Sequence, residues 1–251
     1  MNANRKGVAE GRKGVAGDRT AGPGRPGASL HEEVLDRLRD VIVEGQIPPG
    51  ARVPERRLCE MLRISRTPLR EALKVLAAEG LIELLPNRGA RVRRLGEDDL
   101  CHLFEVMAGL EALAGRLACE RISDAGIAEI ERIHYEMYTC YIRRELPGYF
   151  RLNQMIHERI VEAAANPLLL STYSSLAGRI RPARYSANTL KRDRWGEAMR
   201  EHEEILDALR RRDAVALGEI LYRHLRLKCV AAVERLRAEQ SASGDPPGDF
   251  D

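Results

Sequence analysis

The sequence predicts a mainly α-helical protein: an N-terminal winged helix-turn-helix followed by an all-helical bundle. Three observations lead there. The run Ser65-Arg66-Thr67-Pro68-Leu69-Arg70-Glu71-Ala72-Leu73 has the make-up of the second helix of a helix-turn-helix. A strand–turn–strand pattern follows it, and beyond Asp98 the apolar repeats have helical spacing throughout. At 251 residues the chain is long enough for two cores.

The central run justifies itself residue by residue. Thr67 can cap a helix by accepting from a free backbone N–H, and Pro68 suits a first helical position because its missing N–H costs nothing there. Leu69, Leu73, Leu76 and Ala77 then fall on one buried stripe, which leaves Arg66 and Arg70, four apart, on another face. Each guanidinium can take a guanine edge in the major groove through two parallel hydrogen bonds, and the N–H groups at the helix end favour a phosphate. A solvated arginine face is the plainer explanation of these nine residues alone, and the flanking elements argue against it.

Upstream, Arg56 to Leu62 reads as a short helix begun by Pro54, with Arg63-Ile64 as a tight turn. An earlier helix starts at Ser29 with Glu32 three further on, a capping box, and turns Leu30, Val34, Leu38, Val41 and Ile42 inward until Gly45 stops it. Downstream of Gly80, Leu81 to Leu85, the turn Pro86-Asn87-Arg88-Gly89, and Ala90 to Arg93 form a hairpin. Arg88 and Gly89 at its tip put a cation and an unobstructed backbone against a minor groove or phosphate. Double-stranded DNA is the partner this arrangement implies.

Charge agrees. Residues 1–28 carry six Lys/Arg against two Asp/Glu, and residues 29–95 carry thirteen against ten, so the remainder of a +3 chain is net −4. Only the N-terminal third has an electrostatic reason to approach nucleic acid. Residues 1–28, rich in Gly, Ala and Arg, are expected to be a disordered basic tail. Five cysteines without a C-x-x-C pair suit a reducing cytoplasm, and no uncharged run is long enough to span a membrane. The N-terminus lacks the apolar stretch of a secretory signal, so the expected location is cytoplasmic.

An acidic joint at Gly96-Glu97-Asp98-Asp99 leads into a second domain expected over 98–237, with 238–251 as a disordered tail. Capping residues and prolines divide it into six helices at 98–121, 123–144, 147–165, 167–186, 194–211 and 213–237. His157, His202 and His224 lie on or beside apolar stripes of three different helices. One such histidine is ordinarily a hydrogen-bonded core residue. Three converging in a bundle make a divalent-metal site.

Residues 30–95 resemble the DNA-binding domain of the GntR family of bacterial transcription regulators, through Gly45-Gln46-Ile47-Pro48-Pro49-Gly50, the SRTPLREAL run, Glu79-Gly80-Leu81 and Pro86-Asn87-Arg88-Gly89-Ala90. The resemblance implies operator contacts from Arg56, Arg66 and Arg70, with Gly89 at the minor groove. Arg63 stands where the family usually has glycine; if the turn needs positive φ there, arginine adds about 1 kcal/mol of strain.

Residues 98–237 look like the helical FCD effector domain of the FadR-like branch, of the six-helix VanR-like type. The resemblance is carried by Leu103-Phe104-Glu105-Val106 with Leu110-Glu111, Asn153 to His157, Ala165-Asn166-Pro167, Glu201-His202 and His224. It implies a divalent ion, zinc or nickel, held by Asn153, His157, His202 and His224, with asparagine in place of the family's aspartate. An amide oxygen brings no charge, so affinity should fall. Met107 stands where many relatives place an arginine that meets the effector's carboxylate. Arg179, Arg181 and Arg184 are the candidates to replace it.

The reading that follows is a homodimeric transcription regulator, a repressor, whose operator binding is controlled by a small metabolite of the organic-acid type. A metalloenzyme using the three histidines is the alternative, but Glu158 and Glu203, adjacent to two of them, point about 100° away along the helix. A purely structural DNA-binding protein would not need a buried histidine cluster.

Overall fold

A computed structural model describes residues 30–188 and 194–243. The basic tail expected over 1–28 and the cap expected at Ser29 lie outside these residues. The described chain runs α1 (Leu30–Val43), α2 (Glu55–Leu62), α3 (Arg66–Ala78), β1 (Ile82–Leu85), β2 (Gly89–Val92), α4 (Glu97–Arg121), α5 (Asp124–Arg143), α6 (Leu146–Ala163), α7 (Pro167–Ser186), α8 (Arg194–Arg210) and α9 (Ala214–Ser243). It is mainly helical, with a winged helix-turn-helix ahead of a bundle.

In the first unit Val34, Leu38, Val41 and Ile42 of α1 pack on Leu69, Ala72, Leu73 and Leu76 of α3, with Ile82, Ala90 and Val92 of the hairpin closing the core. The antiparallel pair is in register Ile82↔Val92 to Leu85↔Gly89. Arg39 of α1 reaches Glu79, just after α3, through two hydrogen bonds of 3.1 and 2.7 Å. Such a bidentate pair fixes orientation as well as adding attraction.

One local expectation needs correction, and one condition is met. Thr67 does not cap α3: the helix starts two residues earlier, Ser65 occupies the N-cap, and Thr67 and Pro68 lie inside the first turn. Pro68 is still tolerated there, since the first four N–H groups of a helix have no internal partner. Arg63 does adopt the left-handed conformation, φ 57° and ψ 42°, at the C-cap of α2, so the condition for backbone strain is met.

In the second unit, side chains cap the helices where the sequence placed breaks. Ser123 Oγ accepts from Gly126 N at 3.1 Å, Asn166 Oδ1 from Leu169 N at 3.2 Å, and Asp213 Oδ1 from Ala216 N at 3.0 Å. Each satisfies one N–H that the helix itself cannot. The last helix continues to Ser243, six residues past the expected end at 237. Among the described residues, no helix is long and apolar enough to cross a membrane.

The two units meet along α7. Gly178 sits so close to the end of α3 that a Cβ there would lie 2.7 Å from the Glu79 carbonyl oxygen. Phe150 of α6 is buried in the core of the first unit and meets Tyr185 of α7 edge-on at 5.1 Å. The helix that touches the end of the recognition helix is therefore the one that carries Arg184, which pairs with Glu111 of α4.

Candidate DNA interface and metal centre

Arg56, Arg66, Thr67, Arg70, Arg88 and Gly89 are all exposed. Glu55, at the start of α2, gathers three of the elements that carry them: its carboxylate lies 3.6 Å from Arg70 Nε of α3, and a Cβ on Gly89 of the wing would meet it at 3.1 Å. Arg56 pairs with Glu60 one turn on, with both side chains largely solvated. Exposed pairs of this kind are weak, so phosphate or a base edge can replace the carboxylate. Asn87 and Gly89 both take positive φ in the hairpin turn, 56° and 81°, which leaves Arg88 projecting between them. Glu55 carried no sequence signal of its own, because its part in the surface comes from the wing folding back on α2.

The second cluster is internal. His157 of α6, His202 of α8 and His224 of α9 have ring centroids 5.3, 5.1 and 5.1 Å apart, close to an equilateral triangle. Each lies among apolar residues of its own helix, as with Ile156 and Ile160, Met199 and Ile205, or Leu221 and Leu225, so core packing carries the rings inward. Burial, and after it the neighbouring imidazoles, pushes His202 and His224 well below the usual imidazole range. His157 is also lowered, chiefly by burial and against the pull of Glu111. Neutral rings keep a lone pair to offer.

Acids hold two of the rings from behind. His157 Nδ1 lies 2.6 Å from Glu111 Oε2, and His224 Nδ1 lies 2.6 Å from Glu201 Oε2. The Nε2 atoms of both rings, and Nδ1 of His202, are buried without a hydrogen-bond partner. A carboxylate on one imidazole nitrogen fixes the tautomer and leaves the other nitrogen free to ligate. Ligand atoms from the three rings lie within 4.8 Å of one another. Three buried, neutral imidazoles with orphaned nitrogens, two of them with a carboxylate behind the ring, fit a divalent ion of the zinc or nickel type. Asn153 is beside them: its Nδ2 is 2.5 Å from His202 Nε2, while Gln154 Nε2 donates to its Oδ1 at 3.3 Å. To serve as a ligand the amide must turn over and present oxygen.

Of the three arginine candidates, the structure brings one to this site. Arg184 is buried and its Nη1 donates to Glu111 Oε1 at 3.0 Å, with Nε and Nη2 left unpartnered. Arg181 instead pairs with Glu158 at 2.6 Å, and the stem of Arg179 packs over Gly80 at the junction of the two units. Met107 is fully buried among Phe104, Ile180 and Leu225. Burial pushes the Glu111 carboxyl upward, but His157 and Arg184 outweigh it and hold it at about 2.

Sequence reasoning missed Glu111, Glu201 and Lys228 as site residues. Glu111 had a signal, since it interrupts the stripe Phe104–Met107–Ala108–Ala114–Ala118 with an acid. Glu201 had none, because only the packing of α8 on α9 turns it toward His224.

With this geometry in view, the comparisons decide the family. Residues 30–92 match the model described as bacterial regulatory proteins, gntR family, and residues 102–227 match the FCD domain, half of the chain. The chain belongs to the GntR family and carries an FCD domain. Its similarity to the HTH-type transcriptional repressor RspR of Escherichia coli (strain K12) is 25% identity over 217 residues, 86% of this chain and 94% of that protein. It is 32% identical over 198 residues to the "Probable D-xylose utilization operon transcriptional repressor" of Paenarthrobacter nicotinovorans, covering 76% and 85% of the two chains. The solved structure of E. coli McbR/YncC shares the fold, with a TM-score of 0.74 and 22% identity, over 83% of this chain and 99% of that one. These relatives are transcription regulators, so this GntR protein is a DNA-binding regulator and the metalloenzyme alternative is set aside.

Proposed function

We propose that this GntR regulator is a homodimeric repressor whose hold on a near-palindromic operator is controlled by an organic acid bound beside a divalent ion in the helical domain. The observation that carries the reading is the linkage through α7. Arg184 on that helix holds Glu111 and through it His157, while Gly178, less than two turns earlier, rests on the end of the recognition helix. A ligand that moves Arg184 therefore moves the seat of α3. An effector shifts the equilibrium only by its differential affinity for the two poses, and this contact is where such a difference can arise.

His157, His202 and His224 would hold the ion, with Asn153 as a weak fourth ligand. Zinc or nickel supplies a positive centre for an effector oxygen. Glu111 and Glu201 orient the rings, and Met107 keeps the floor of the site apolar.

Arg66 and Arg70 would read bases; Thr67, Arg56, Arg88 and Gly89 would position the domain on the backbone. The dimer reading is supported by exposed apolar side chains on two packed helices, Val106 and Leu113 of α4 with Tyr222, Leu227 and Val230 of α9. A two-fold contact through them would set two recognition helices over two half-sites.

Selection of bound fragments from a random double-stranded DNA library tests this. A two-fold-symmetric sequence whose affinity changes on adding organic acids is expected. Enrichment of asymmetric or non-specific DNA would contradict the proposal.

A further inference from the structure

Among the described residues, the buried charged side chains are Glu111, Glu201, Arg184 and Lys228. All four lie around the histidines. Lys228 follows His224 by four residues on α9, so the two share a face one helical turn apart. Asn188 joins it to Arg184: Lys228 Nζ donates to Asn188 Oδ1 at 2.7 Å, and Asn188 Nδ2 donates to the Arg184 carbonyl at 3.0 Å. Trp195 Nε1, donating to the Asn188 carbonyl at 2.6 Å, pins this link from the start of α8. The Lys228 charge is felt at all three rings, where it works against imidazolium.

The charge balance points to a ligand. Two carboxylates and two cations cancel, so a divalent ion on the imidazoles leaves two positive charges in a site shut off from water. Uncompensated charge in a low-dielectric interior is strongly unfavourable. Arg184 also keeps Nε and Nη2 without a hydrogen-bond partner while being almost fully buried, with the Tyr173 hydroxyl and the Glu111 carboxylate as its polar neighbours.

We propose that Lys228 and the free edge of Arg184 form a two-cation subsite for a second acidic group, which makes the effector a small dicarboxylate and Lys228 the residue that selects it over a monocarboxylate. The inference rests on the metal-and-effector reading above. One carboxylate would meet the ion's open side and the other would bridge Lys228 and Arg184, matching both unbalanced charges. A planar carboxylate suits the guanidinium fork. A monocarboxylate would leave one positive charge unmatched.

The test uses the full-length protein loaded with zinc, with calorimetric titration of malonate, acetate and inorganic phosphate, and zinc per chain measured alongside. Malonate is expected to bind at least ten-fold more tightly than acetate. Lys228→Met should collapse that ratio toward one, and Lys228→Arg should keep it. Equal binding of malonate and acetate by the unaltered protein would overturn the proposal, as would a ratio unmoved by Lys228→Met. Phosphate binding more tightly than malonate would overturn the dicarboxylate assignment. Should the protein take up no zinc, the metal reading fails by itself, and the same titrations on zinc-free protein still decide the subsite: a Lys228-dependent preference for malonate sustains it, and its absence removes it.

Discussion

Glu201 Oε2 stands 2.6 Å from His224 Nδ1. That contact fixes which nitrogen of the ring faces the other two imidazoles, and it fixes it from a neighbouring helix. Glu201→Gln keeps the shape and removes the charge. We expect metal affinity to fall by about 10- to 100-fold, the usual cost of losing a carboxylate behind a ligating histidine. Competition against a chelating dye measures it, and an unchanged affinity would mean Glu201 does not act through His224.

Acid should destabilise the metal-free protein. Burial lowers His157, His202 and His224, and also His134 of α5, below their unfolded range, so the unfolded state binds protons first as the pH drops. Stability is then full above about pH 6.5 and lost as the pH falls below it. Glu111, held at about 2, titrates far beneath that window. Melting temperatures of chelator-treated protein from pH 8 to 5 should fall, with a shallower slope in His202→Gln. A flat or rising profile would refute the burial argument.

Arg63 carries φ 57° at a position with no packing demand for its side chain, which is exposed. Arg63→Gly removes the left-handed penalty and should stabilise the DNA-binding unit by about 1 kcal/mol. Chemical denaturation of the two proteins is the comparison. Loss of stability would show that the arginine makes a compensating contact in the folded state.

Base reading and positioning separate by their dependence on sequence. Arg66→Ala or Arg70→Ala should each cost about 1 to 3 kcal/mol on the selected operator and much less on random DNA. Arg56→Ala and Arg88→Ala should weaken both DNAs alike. Fluorescence anisotropy on the two duplexes distinguishes these, and uniform losses from Arg66→Ala would argue against readout by that residue.

The element order and most helix limits were legible because they depend on short-range physics. Asn166, Asp213 and Ser123 cap where their own side chains can reach, and apolar spacing places His157, His202 and His224 on inner faces whatever the fold. The start of α3 was misplaced by two residues because Ser65, Thr67 and Pro68 are all plausible near a helix start, and packing of Leu69 decides among them. Arg179, Arg181 and Arg184 could not be sorted from sequence. They share one helix within six positions, and only its docking against α4 and the α3–β1 turn sends Arg184 inward, Arg181 to Glu158 and Arg179 to Gly80. Lys228 escaped notice for a similar reason, since a lysine on a long amphipathic helix ordinarily reaches solvent.

The claim on which the rest depends is that the three histidines hold an ion, and calorimetric titration of zinc into chelator-stripped full-length protein addresses it directly. One ion per chain is predicted, bound more tightly in Asn153→Asp, where a carboxylate replaces the amide beside His202, and lost when His157, His202 and His224 are all changed to Ala. A stoichiometry unaffected by the triple replacement would contradict it.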